Sequence, residues 1–355
     1  MHALSALLVA FLAASAAAQS CTITDFSQVS SVVSSCTNIV VSNLEVPAGQ
    51  ALTMNLQEGS SVTFEGTVKF EYAEWDGPMV LITGNKVNVQ GASGSVFDGQ
   101  GQLYWDNNGG SGGVKKPVFM RVQGSGGSVF KNIHLLNCPV QCASVQHSDG
   151  ITLTGWNIDV SAGHDLGGKN TDGFGIAWAN NVVISDSVVK NQDDCIVVNQ
   201  GTNMHFDKIH CEGSHGLSLS VGFSKTNVEE NSVSNVTFSN CVVKNSDLAI
   251  HVKVHGDSGT GSIKDLTYRN IQFSGIAKYG INIQQDYPSG TLTTNIPITG
   301  LTLSGVTGTV KGSNSMGVYI MCGSGACSGW NWSGVTVTGG HHANTCNYSP
   351  NGFQC

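Results

Sequence analysis

The sequence predicts an all-β fold, a right-handed parallel β-helix that forms a single solenoid domain with a short N-terminal capping helix. Three observations carry this. Only 11% of the residues are charged whereas 45 of the 355 are glycine, and Ser, Thr, Asn and Val are abundant, a balance that favours short strands and tight turns over helices. Helical periodicity is nearly absent, and short β-rich runs alternate with Gly, Asn, Asp and Ser. Finally, the segment Asn181 to Val198 superposes without a gap on Asn235 to Val252, and related copies begin near Asp265 and Gly300. Their separations of about 22 to 35 residues lie in the range of repeat units. A β-sandwich shares the strand-and-turn composition, and the self-similarity decides for the solenoid.

The elements follow in order. Residues 1–18 run through Leu4, Leu7, Leu8, Val9, Phe11 and Leu12 to Ala16-Ala17-Ala18, an apolar stretch closed by small residues that reads as a secretory signal peptide. It is too short for a spanning helix, an uncleaved anchor being the alternative, and no later stretch is long and apolar enough to cross a bilayer. The domain proper is then 19–355, secreted and extracellular. Between Ile23 and Val33 a short helix is expected to cap the solenoid, because an open end exposes apolar core and unpaired strand edges. Short strands are expected at 38–41, 51–54, 61–64, 79–82 and 87–89, and beyond Gly127 the repeat becomes legible.

Eleven cysteines behind a signal peptide imply an oxidising compartment and several disulfides, with at least one thiol left unpaired by the odd count. Cys21/Cys36, Cys322/Cys327 and Cys346/Cys355 are locally spaced candidates, and a Cys195/Cys211 bridge would join successive repeats. No cysteine pairs have zinc-ligand spacing with histidines. Sequons at Asn235, Asn331 and Asn347 suggest glycosylated surface loops. A formal charge of -8 and the lack of a basic patch with interleaved aromatics argue against nucleic acid and anionic membranes as partners. A monomer is expected.

In a parallel β-helix, equivalent positions of successive coils stack about 4.8 Å apart, so sequence register becomes spatial contact. Aligning strand entries puts Asp172, Asp194 and His215 in one column, with Asp193 one residue upstream. Carboxylates about 5 Å apart repel by roughly 3 kcal/mol at an effective dielectric near 20, which keeps one of them protonated above its usual range. An acid beside ionised carboxylates is the equipment for glycosidic cleavage, one group protonating the leaving oxygen while another activates water. A turn-capping Asp ladder or a calcium site would use the same residues. On the next coil His251 and Lys253 alternate onto one face, where a cation could hold an anionic sugar, and Tyr287 could border the same cleft.

These residues carry a resemblance. Asn170-Thr171-Asp172-Gly173-Phe174, Asp193-Asp194-Cys195, Cys211 with His215-Gly216-Leu217-Ser218, Lys253, and Gln284 to Tyr287 followed by Cys322-Gly323-Ser324-Gly325-Ala326-Cys327 resemble the polygalacturonases of glycoside hydrolase family 28. The chain looks most like the short fungal-type endo-acting enzymes, a type also met in plant-feeding insects. The resemblance implies inverting hydrolysis of α-1,4 bonds between galacturonic acid units of demethylated pectin (homogalacturonan), with no metal or other cofactor. By position, Asp193 would be the general acid, Asp172 and Asp194 would activate water, and His215 would tune the acid. Lys253, His251, Tyr287 and Asn170 would form the substrate-binding set. Three positions depart from the family pattern: His251 replaces the usual Arg, Gly175 an Asp and Ser214 a Gly. A titratable ring in place of a guanidinium should weaken the grip on the substrate carboxylate and make it depend on His251 being protonated. A silent relative that binds oligogalacturonides, or an enzyme for a modified pectin such as xylogalacturonan, is the alternative.

Overall fold

The computed structural model describes residues 21–288 and 290–355, so the expected signal peptide lies outside the described residues. The strands that matter for the site form one file along the solenoid. They are β1 (Ala143–Thr154), β2 (Phe174–Lys190), β3 (Ile196–Val198), β4 (Leu217–Val221), β5 (Leu248–His255), β6 (Tyr279–Tyr287) and β7 (Met316–Met321). All pair in parallel, with Ala143, Phe174, Ile196, Leu217, Ile250, Ile281 and Val318 in a single row. Parallel strands joined by such crossovers wind right-handedly, and the expected parallel β-helix is the fold.

Alternation along these strands explains the packing. Phe174, Ile176, Leu217, Leu219, Ile250, Val252, Ile281 and Ile283 point inward and are fully buried, so each coil adds one apolar rung to a continuous core. Aromatic rungs stack likewise, with the Phe206 and Phe238 rings 4.8 Å apart and Phe238 and Tyr268 4.9 Å apart. The intervening residues Ser218, Ser220, His251 and Lys253 belong to the outer face.

Sharp corners hold the coils in register. Asn181, Asn203, Asn235 and Asp265 all adopt left-handed backbone with φ of 55°, 58°, 51° and 55°, a conformation Asn and Asp tolerate better than most residues. Their amides form a ladder: Asn203 Nδ2 donates to Asn181 Oδ1 at 3.1 Å and Asn235 Nδ2 to Asn203 Oδ1 at 2.8 Å. The superposable segments noticed in the sequence are therefore two coils apart in space. Of the three sequon residues, Asn235 and Asn331 stand in strands rather than loops, and Asn347 Nδ2 donates to Cys322 O at 2.8 Å.

The N-terminal cap begins later than expected. Ile23 ends a strand, a 3-10 turn spans Phe26–Gln28, and the helix α1 covers Val29–Ser35. Asp25 delays the helix by accepting from Ser27 N at 2.9 Å, and Val29 and Val33 close the core. At the other end Trp330 and Trp332 are covered by Tyr348 and Phe353. The four anticipated disulfides are present, joined by a Cys138–Cys142 bridge that spacing did not single out, and Cys241 is the buried free thiol.

Candidate active site

Three consecutive turns, each leading into a strand of the file, carry the polar groups. They are pinned by backbone bonds: Gly173 N donates to Asp194 O at 2.9 Å, Cys195 N to Gly216 O at 3.0 Å and His215 N to Asp193 O at 2.7 Å. Gly216, with φ +81°, is required here, since a Cβ would come within 2.3 Å of Ala249 O. Asn191 clamps two of the turns by donating Nδ2 to the carbonyls of Thr171 (2.8 Å), Asp194 (2.9 Å) and Asp193 (3.1 Å). The Cys195–Cys211 bridge, fully buried, braces the same place.

The column read from the sequence is thus real, and its members have distinct surroundings. Asp193 Oδ1 accepts from its neighbour's amide, Asp194 N, at 2.8 Å and lies 3.1 Å from His215 Nδ1, while Oδ2 accepts from Asn170 Nδ2 at 3.0 Å. Asp194 lies deeper, its Oδ1 accepting from Ser218 Oγ and its Oδ2 from Lys253 Nζ, both at 2.6 Å. Asp172 makes no comparable side-chain partnership and borders the groove together with Gln146, Gly175, Ala177 and Asn199. A larger cavity of about 560 Å³ opens beyond Asn170, lined by the Gly109–Val114 segment, Lys116 and Gln141. A cavity of about 510 Å³ beside α1 has no titratable lining residue and is remote from this chemistry.

The electrostatics follow from those partners. Burial pushes the Asp172 carboxyl well above the ordinary range, and the charges of Asp193 and Asp194 push it the same way. Burial also raises Asp194 and outweighs the opposing Lys253 ammonium. For Asp193 burial is again the largest influence, yet the hydrogen bond and charge of His215, with Lys253, prevail and hold it below the ordinary value. His215 is raised in return, Asp193 overcoming the burial that would lower it. In the resting site, then, Asp172 is the carboxyl that most readily holds a proton, and Asp193 with His215 forms an ion pair. The repulsion expected among the carboxylates falls most heavily on Asp172, because Asp193 and Asp194 have more partners for their anions.

The substrate-binding set is placed differently from expectation in three respects. His251 is 6% exposed with Nδ1 buried and unpartnered, and burial, aided by Lys253, His215 and Lys278, holds its pKa well below the usual histidine value. These surroundings disfavour the imidazolium that would have to stand in for a guanidinium. Lys253 is 5% exposed and already paired with Asp194. Asn170, with left-handed φ of 52°, orients Asp193 and accepts from Gly110 N at 3.0 Å. Tyr287 borders the cluster, its ring centroid 5.5 Å from Lys253 Nζ and 6.1 Å from the His251 ring. The other departures are accommodated, for Ser214 finds Ser246 Oγ at 3.1 Å on the next coil, and a side chain added at Gly175 would meet only Val197, its Cβ 3.9 Å from Val197 Cγ1.

Asp193, Asp194 and His215 bring ligand atoms within 4.8 Å of one another, a spacing a cation could use. Their carboxylate oxygens are already engaged by Asn170, His215, Ser218 and Lys253, and the ammonium supplies the positive charge. Asn191 was not singled out in the sequence, and Ser218 appeared there only as the end of a motif, without a role. The alternation Gly216-Leu217-Ser218-Leu219 and the recurrence of Asn at 191 and 245 are the signals that could have found them.

Known proteins resemble this chain over nearly its whole length. The family described as Glycosyl hydrolases family 28 matches residues 36–355. A polygalacturonase of Phaedon cochleariae is 53% identical, the match covering 99% of this chain and 98% of that protein. Endopolygalacturonase I of Aspergillus niger is 45% identical over 95% of this chain and 92% of its own. Among solved structures, endopolygalacturonase I from Stereum purpureum complexed with two galacturonate superposes with a TM-score of 0.82 at 35% identity, covering 92% of this chain and 96% of that one.

Proposed function

The chain belongs to glycosyl hydrolases family 28, and from that premise we propose that Asp193, Asp172, Asp194 and His215 carry out its reaction, with inversion at the anomeric carbon. That reaction is endo-type hydrolysis of pectin at the α-1,4 bonds between galacturonic acid units. The observation that supports the site assignment is the meeting of three carboxylates and one imidazole on adjoining turns above a groove.

Asp193 delivers a proton to the leaving glycosidic oxygen as the bond to the anomeric carbon breaks. Asp194 and Asp172, the latter once it has given up its own proton, orient a water molecule and one of them takes its proton as the water oxygen forms the new bond on the opposite face. The proton for the first step is held by the Asp193–His215 pair at mildly acidic pH, since an imidazolium donating Nδ1–H to the carboxylate can return its proton through it. Lys253 keeps N–H donors beyond the one given to Asp194, and we assign it the sugar carboxylate, with Tyr287 beside it. The enzyme acts as a single chain outside the cell, where its five disulfides persist.

Asp172's high proton affinity favours a second reading, in which Asp172 is the acid and Asp193 the base. The two part on rescue. With Asp193 as acid, Asp193→Asn still cleaves a galacturonide whose leaving group needs no proton, and azide restores turnover to Asp172→Asn. The reverse pattern supports exchanged roles. Reducing-end release from polygalacturonic acid, with products sized to show internal cleavage, tests the function itself. A folded protein that releases nothing from mildly acidic to neutral pH would overturn it.

A further inference from the structure

The charged column does not stop at His215. In the superposable repeats, Asn245-Ser246-Asp247 occupies the place of Asn191-Gln192-Asp193, so Asp247 is the equivalent of Asp193 two coils on. Backbone bonds fix it there, Asp247 N donating to Ser214 O at 2.8 Å and Lys278 N donating to Asp247 O at 2.9 Å. The side chains continue the line. His215 Nδ1 is 3.1 Å from Asp193 Oδ1, its Nε2 is 3.9 Å from Asp247 Oδ2, and Lys278 Nζ is 2.7 Å from that same oxygen. Negative and positive groups alternate from Asp193 through His215 and Asp247 to Lys278, and exposure rises outward, from 15% at Asp193 to 57% at Lys278.

We propose that Asp247 and Lys278 are positioning residues that set the orientation and proton affinity of His215. Asp247 faces the second ring nitrogen, which leaves the first directed at Asp193, and Lys278 limits the negative charge that Asp247 presents. The inference rests on the reading that His215 serves the acid. The other charged or titratable groups around the ring are Asp193 and Asp194 from the turn before β3, and His251 and Lys253 from β5. His164, from the short helix α2 (Gly163–Leu166), closes over Gly213 in the same turn. Asp247 and Lys278 are distinguished from these by exposure, which lets them be replaced without opening the core.

Their opposite signs make the test specific. Loss of the Asp247 charge removes an anion that favours imidazolium, so Asp247→Asn should move the His215 titration to lower pH by about half a unit, the modest size expected of partly exposed charges. Lys278→Met removes the opposing cation and should move it to higher pH by a similar amount, while Asp247→Glu should restore the wild-type value. The titration is read from the His215 ring protons by NMR in the full-length protein, and the alkaline limb of kcat/KM on polygalacturonate is followed in the same variants. Opposite displacements of the titration support the proposal; no displacement, or displacement of both variants in one direction, overturns it. An alkaline limb that stays fixed while the titration moves would instead sink the reading that His215 serves the acid, so the two failures are distinguishable.

Discussion

Lys253 Nζ lies 2.6 Å from Asp194 Oδ2, with only 7% and 3% of the two side chains exposed. A pair so deeply buried owes its presence to function more than to stability, because desolvation offsets most of the attraction. Removing one partner is another matter, since it leaves a buried charge uncompensated. Lys253→Met should therefore cost about 3–5 kcal/mol of folding stability at neutral pH. The loss should shrink at acidic pH, where Asp194, whose pKa is raised chiefly by burial, takes up a proton and needs no cation. Urea unfolding at the two pH values checks this; an equal loss at both would mean that Asp194 is not the charge being compensated.

Asp193→Asn keeps the volume and loses the transferable proton. Turnover of polygalacturonate is expected to fall by about 10²–10⁴-fold with little change in affinity for oligogalacturonides, measured by steady-state kinetics beside calorimetric binding. Retained turnover would remove Asp193 from the acid role.

Asp172 makes stability depend on pH in a definite direction. Its folded-state pKa is raised, by burial first and then by Asp193 and Asp194, so its contribution is fully present below the unfolded value and is lost as pH rises through the folded one. Asp172→Asn should match the wild type in folding stability in acid and exceed it progressively towards neutral pH, by on the order of 1 kcal/mol in urea unfolding, while losing activity. A constant difference across the range would show that Asp172 ionises as freely in the folded chain as in the unfolded one.

His251 replaces a permanent cation by a ring that burial keeps neutral. Michaelis constants for wild type and His251→Gln should consequently follow the same pH dependence across mildly acidic to neutral conditions. A step present in the wild type and absent from the glutamine variant would show that imidazolium contributes to binding after all.

Cys241 is buried, and burial pushes its thiol pKa up to about 12. The native protein should not react with a thiol reagent, and denaturation without reductant should release one thiol per chain. More than one would mean that at least one of the five bridges is not formed.

The legible part of this protein was whatever the repeat converts into space. Asn181 and Asn235 announce the coil, and counting from them to Asp172, Asp194 and His215 places these groups in a column before any coordinate is known, because a parallel ladder has a single register when one face must be buried. Asn191 and the role of Ser218 escaped notice because their contributions are individual hydrogen bonds across coils, and residue type alone does not say which partner on a neighbouring coil will be met.

The amino-acid sequence by itself determined the solenoid, the alignment of the carboxylates with His215, and the family, since each depends on periodic apolar positions and on motif order along the chain. Tertiary structure alone decided the surroundings that bias each charge: those that raise the proton affinity of Asp172, the pairing of Asp193 with His215 and of Lys253 with Asp194, and the burial that disfavours a charged His251. The charges depend on burial and on which opposite charge lies within about 4 Å, where electrostatic energies change by several kcal/mol over distances smaller than a side chain.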